Sequence, residues 1–441
     1  MASVSEQLLS SLSWGSWKQA SDLHRRILFT LWIFIIYRLG TYIPLPGIDP
    51  VAMKIMASDY TSQGVLKMFN LVSGGALERM SIFALNLGPY ISSSIIVQLM
   101  TALFPYFMAL KKEGEAGKRK LNQYTRYGTI GLSVFQAAGL ASLLSMRPGL
   151  VLDAGFFFYV STVVTIVGST LFLMWLGEQI TARGLGNGSS MLIYAGIVST
   201  LPRSIVQTLE LGSAGGSQFF EAFLGVVAAG LVIMFVVFME KAYRKVMIQY
   251  PRRQVGRQVF SAEKTYMPIK MNSTGILAPI FAMALMQMFF TLTNINFIQA
   301  IPILGPSLRF LFVESYTFSL LTRVMLIIFF SFFYTSVVFN PEETAENLRK
   351  SGAFIAGYRP GITTANYFTA LLNRLTVVGS VYIAFVVVFP DVMRMAGFNF
   401  PATGTALLIV ASVTIEVVSQ VYSYVISHQY GNLWKKRSGQ K

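Results

Sequence analysis

Apolar runs of about 20 residues recur along the whole chain, separated by short polar or basic stretches. At the rise of an α-helix, such a run matches the hydrocarbon thickness of a bilayer. Ten runs are predicted spans: 27–43, 82–104, 128–146, 156–176, 188–201, 219–239, 274–293, 317–339, 375–390 and 404–425. The fifth, "GSSMLIYAGIVSTL", is short and is entered through "RGLGNG". One piece breaks the pattern. "SGGALERM", residues 73–80, has two glycines and a Glu-Arg pair, is too short to cross, and joins the second span directly. Broken backbone at membrane depth is tolerated only inside protein or beside a water-filled cavity, so this piece predicts a cavity.

Composition agrees: 54% of residues are hydrophobic and only 12% charged, where a soluble domain carries about 25%. The absence of cysteine excludes disulfides and thiolate metal sites. The net charge of +16 matters through its placement. With the N-terminus inside, 26 of the 35 Lys and Arg residues face the cytoplasm, 7 the opposite side, and 2 lie within spans. That bias predicts two cytoplasmic termini. Residues 1–26 alternate polar residues with Leu8, Leu9, Leu12, Trp14 and Trp17, as an interfacial amphipathic helix would. The expected plan is an all-α polytopic membrane protein with an N-terminal half (27–201), an external hinge loop (202–218), a C-terminal half (219–425) and a cytoplasmic tail (426–441). Five spans reverse direction, so a repeated half would be inverted, and inverted halves commonly place a functional path at their interface.

The spans hold little chemistry. Their deeper charges are Arg38, Arg323 and Glu416. The two arginines fall toward the outer ends of their helices, where snorkelling is the default reading. The two histidines, His24 and His428, lie outside the spans, so neither a zinc site of the H-E-x-x-H type nor a Ser/His dyad can be assembled in the membrane. "GLGNGSS" (184–190) fits neither a dinucleotide fingerprint nor a P-loop and reads as a flexible helix entry. The cytoplasmic loops are richer. Residues 240–270 carry eight basic against two acidic residues, with Val, Tyr and Phe around a "QVG" turn, predicting a protruding hairpin within the loop 240–273. The loop 340–374 opens with Asn340-Pro341, a helix-entry signal, and "GYRPG" makes a later turn. Such loops suit docking to ribosomal RNA or to a partner protein, the alternative being service to the positive-inside rule alone. Two function classes follow: a passive, partner-driven channel, or a secondary transporter for a small solute with Glu416 as its one midplane candidate.

A set of motifs goes further. "IPLPGID", "SGGALERMSIFALNLGPYIS", "KKEGEAGKRKLNQYTRYGT", "FLMWLGEQITARGLGNG", "VVFNPEETAENLRKSGAF" and "GYRPG" together resemble the bacterial SecY family from about residue 20 to 430. The resemblance implies ten transmembrane helices in two inverted five-helix halves around an hourglass pore that conducts polypeptides. It implies a pore ring at Leu87, Ile91, Ile193, Ile280 and Ile409, with Ser189 at a usually aliphatic position. A plug is implied over about 64–76, including Phe69, Asn70, Leu71, Val72, Ser73, Gly74 and Gly75. Ser92 and Gln136 match lateral-gate positions, while Arg252, Arg253, Arg257, Arg349, Lys350 and Arg359 match surfaces that dock the motor ATPase SecA or the ribosome. The implied partners are SecE and SecG, signal-bearing polypeptides and anionic lipids, with no DNA, cofactor or metal. The implied location is the bacterial inner membrane.

Overall fold

The computed structural model describes residues 21–49, 70, 73–145, 149–151, 153, 155–212, 216–250, 253–255, 258–260, 264–293, 316–398, 400 and 402–438. Each of the ten apolar runs carries a helix. They are α1 (Ser21–Gly40), α2 (Gly88–Leu103), α4 (Glu115–Ser145), α5 (Phe156–Arg183), α6 (Gly188–Gly212), α7 (Gly216–Glu240), α8 (Leu277–Thr293), α9 (Tyr316–Val338), α11 (Ile362–Met395) and α12 (Gly404–Ser438). Two short helices join them, α3 (Pro105–Lys112) and α10 (Pro341–Lys350). Among the described residues, six helices are long and apolar enough to cross a membrane, or seven if α2 and α3 count as one bent span.

The boundaries differ from the apolar runs in instructive ways. The second span was expected from residue 82, but 73–87 is a chain of turns and α2 starts at Gly88 with Pro89 in its first turn. Asn86 has φ +48°, a left-handed conformation that stops helix from propagating backwards. At the other end Pro105 removes a backbone donor, and α3 leaves α2 at 98°. The basic stretch before the third span is largely helix, since Gly114 (φ +72°) turns the chain and α4 begins at Glu115. α6 runs through Pro202 to Gly212, taking in residues expected in the external loop. α11 likewise starts thirteen residues ahead of its apolar run, at Ile362.

The large buried cluster draws on both halves, with Tyr37, Leu87, Leu173 and Leu192 packed alongside Val236, Ile280, Phe330, Ile383 and Leu407. "GLGNGSS" is pinned rather than flexible. The Leu185 N–H donates to Thr30 Oγ1 (3.2 Å), Gly188 N–H to Thr181 Oγ1 (2.9 Å), and Gly186 N–H to Gln420 Oε1. A side chain at Gly188 would run into the Gly177 carbonyl, so glycine there lets α5 and α6 meet backbone to backbone.

The expected hairpin is present in the loop between α7 and α8. Strand β1 (Tyr243–Gln249) pairs antiparallel with β4 (Lys264–Lys270), and β2 (Arg253–Val255) with β3 (Gln258–Phe260). The next loop adds a strand of its own. β5 (Phe354–Ile355) pairs with β1 through Ile248 and Gln249, giving one sheet of order β4-β1-β5.

Candidate pore, hinge and docking surfaces

A recess of about 480 Å³, counting solvent at its mouth, draws Leu87, Ile91, Ile193, Ile280 and Ile409 together. Leu87 stands immediately before α2 and Ile91 in its first turn, while α6, α8 and α12 supply the other three. Gly88 carries no side chain where one would strike Gln287 Oε1, so α2 starts close against α8. Ser73, Asn86 and Gln287 also line the recess, but the rest of its lining is apolar. Such a surface resists wetting and offers a passing chain no fixed charge or hydrogen bond. Ser189 does not line it. The Ser189 hydroxyl donates instead to Asn187 Oδ1 (2.8 Å) at the entry to α6.

Phe69, Leu71 and Val72 lie outside the described residues, whereas Asn70 and Ser73–Gly75 are within them. The Asn70 side chain donates to Glu78 (3.0 Å) and accepts from the Glu78 N–H (2.9 Å), closing a loop. Gly74 and Gly75 take φ +70° and +78°. A Cβ on Gly74 would sit 3.1 Å from the Gly196 Cα of α6. The carbonyls here are all taken. Tyr37 Oη donates to the Ser73 carbonyl (3.2 Å), while Arg38 Nη1 (3.0 Å) and Arg79 Nη2 (3.2 Å) both donate to that of Gly74. Arg38 also reaches Ser199 Oγ (3.0 Å), and both guanidinium groups lie over the Tyr42 ring, at 4.8 and 4.3 Å. Arg38 is therefore half-buried and held by the protein, through one carbonyl and the hydroxyls of Ser199 and Tyr42.

Ser92 of α2 and Gln136 of α4, the expected gate residues, fall where these two helices pack on α8. Ser92 Oγ makes a long contact with the Ala284 carbonyl (3.5 Å). Gln136 is buried, with neither amide atom partnered among the described residues. An unmet buried amide costs about 1–3 kcal/mol. Lys111 of α3 donates to the Val337 carbonyl (3.0 Å) in the last turn of α9. A cation there satisfies a free helix-terminal carbonyl.

Of the docking residues, Arg252 and Arg257 lie outside the described residues, and Arg253 opens β2. Asn340 caps α10, accepting from Glu342 N–H (3.2 Å) and Glu343 N–H (3.4 Å). Arg349 and Lys350 occupy its last turn, where Arg349 pairs with Glu346 (2.8 Å). Arg359 is exposed, and its carbonyl accepts from Thr364 Oγ1 (2.9 Å) at the start of α11.

Two sequence readings need correcting. Arg323 is buried, not snorkelling: it pairs with Asp391 of α11 at 3.0 Å, with both side chains under 8% exposed. Asp391 also pairs with Arg394 (3.2 Å), which donates to the Ala402 carbonyl (2.9 Å) ahead of α12. Asp391 escaped the sequence reading because it stands one residue past an apolar run, 68 positions from its partner. Glu416 is exposed on α12, away from the recess, which takes away the midplane site that a solute transporter would need.

The sequence matches the SecY family model over residues 81–418. The protein translocase subunit SecY of Rickettsia typhi is 45% identical over 424 residues, 95% of this chain and 97% of that one. Its counterpart in Escherichia coli K12 is 44% identical over 426 residues, 94% of each chain. Among solved structures, one of a protein-conducting channel aligns with TM-score 0.66 at 15% identity, covering 92% of this chain and 93% of that one. A canine Sec61 in a ribosome-channel complex aligns at 0.63 and 15%, with the same coverage. Those likenesses show a shared fold. Together with the family model and the close relatives, they establish that this chain belongs to the SecY family.

Proposed function

We propose that this chain is the central, protein-conducting subunit of the general secretory pathway, passing unfolded polypeptides across a bacterial inner membrane and releasing apolar segments sideways into lipid. The observation that carries the reading is the convergence of five aliphatic side chains from both halves on one recess. In this reading the ten helices are ten spans around an hourglass pore, with both termini cytoplasmic. The aliphatic ring limits ion leak yet holds no sequence in place. Ser73–Gly75 is the end of a plug on the outer side. Ser92 and Gln136 lie on a gate whose weak polar contacts part readily for a signal sequence.

The driving force comes from a partner, SecA or the ribosome, docking on the hairpin and on the loop that ends in Arg359. SecE and SecG complete the complex, and anionic lipids surround it. Photo-crosslinkers placed at Ile91 and Ile409 should capture a stalled secretory chain. Crosslinks confined to lipid would overturn the pore assignment. Arg359→Glu should stop export while the protein accumulates normally in the membrane, and undiminished export would remove the docking role.

A further inference from the structure

We infer that Glu240 and Asn272 are positioning residues that make the β1–β4 hairpin and the start of α8 move as one piece, so that docking on the hairpin reaches Ile280 in the recess. The inference rests on the docking reading above and adds the route from the docking surface to the pore. The outgoing leg of the hairpin has no slack, since only Lys241 and Ala242 separate α7 from β1. The return leg is different. Residues 271–276 stand between β4 and α8, and Gly275 among them takes φ +57°. An unsupported turn of this length would bend and absorb a displacement of the hairpin before α8 moved.

Asn272 stiffens that turn. Its Oδ1 accepts from Thr274 Oγ1 (2.8 Å) and from the Gly275 N–H (3.1 Å), and its Nδ2 donates to the Gly275 carbonyl (3.3 Å). The same Nδ2 donates to Glu240 Oε1 (2.7 Å), tying the turn to the last residue of α7. Beside that bond, the Met271 N–H donates to the Ala242 carbonyl (3.0 Å). α11 closes the joint from behind. A Cβ on Gly379 would lie 3.2 Å from the Met271 carbonyl, and Tyr382, one turn further on, makes a long contact with Glu240 Oε1 (3.5 Å). Asn272, Thr274 and Tyr382 are buried, so water does not compete for these bonds, and a stranded partner would carry its full desolvation cost. The two legs are thus joined by side chains at the root of the hairpin. Ile280 stands in the first turn of the helix that leaves this joint, and the Ala284 carbonyl one turn later meets Ser92 of α2.

The chain contains no cysteine, so a single introduced thiol reports on its own position. In the complete channel in vesicles, binding of SecA should change the rate at which Ile280→Cys reacts with a soluble maleimide. Asn272→Ala and Glu240→Ala should each abolish that change while SecA binds with unaltered affinity, a separation that a merely structural role would not produce. Glu240→Gln keeps an acceptor for Asn272 and should restore the response, which distinguishes a lost link from a lost fold. A full response in both alanine variants with SecA bound would overturn the inference and leave the docking reading standing. Weakened SecA binding in those variants would also overturn it, because the bonds would then shape the hairpin rather than link it to α8. Failure of SecA to bind the parent channel would overturn the docking reading, and the inference with it.

Discussion

The aliphatic recess and the Arg323–Asp391–Arg394 cluster handle polarity in opposite ways. The recess gathers side chains from α2, α6, α8 and α12 and makes few directional bonds, so its lining can part and close again. The cluster places one carboxylate between two guanidinium groups, joins α9 to α11, and through the Ala402 carbonyl fixes the approach to α12. Ile409 of the recess stands on α12, seven residues after Ala402. Adjustable wall and fixed frame thus meet on one helix. Buried charges justify their desolvation only by precise geometry, whereas apolar surfaces tolerate rearrangement.

The largest expected effect is at the frame. Asp391→Ala leaves Arg323 buried without a counter-charge and should cost about 3–5 kcal/mol, read as a lower thermal unfolding midpoint of the purified complex. An unchanged midpoint would mean the cluster is hydrated and weak. The control is the joint replacement Arg323→Met, Asp391→Leu and Arg394→Leu, which should recover most of that loss because no charge is stranded. A smaller effect is expected at the cap of α10, where Asn340→Ala exposes its first amides and should cost about 1 kcal/mol by the same measurement. Smallest in stability is Ile91→Asn, half-exposed on the recess wall, at under about 1 kcal/mol. It should nevertheless raise ion conductance of the resting channel, because an amide invites water where the wall is narrow. If Ile91→Asn unfolded the protein instead, the contrast between wall and frame would fail.

Local signals were legible in the chain. Asn340-Pro341 predicted a capped helix, and Val, Tyr and Phe around "QVG" predicted a hairpin, because both depend on neighbours in sequence. Pro105 carried the cue for the 98° bend, but the apolar run masked it by continuing to Phe104. The aliphatic ring could be located through family motifs alone, since Ile193 and Ile280 look like ordinary helix packing until the helices converge. The roles of Arg38 and Arg323 were not legible. Each depends on a partner that hydropathy cannot register, a backbone carbonyl in one case and a distant aspartate in the other.

The two-residue strand β5 has a mechanical meaning. By pairing with β1 it joins the loop after α7 to the loop before α11, and Val246, Ile269, Ile355 and Phe368 close a small core beneath the joint. A load applied to the tip of the hairpin is then shared among α7, α8 and α11 at once. The sheet thus couples the ends of three helices that lie far apart in sequence.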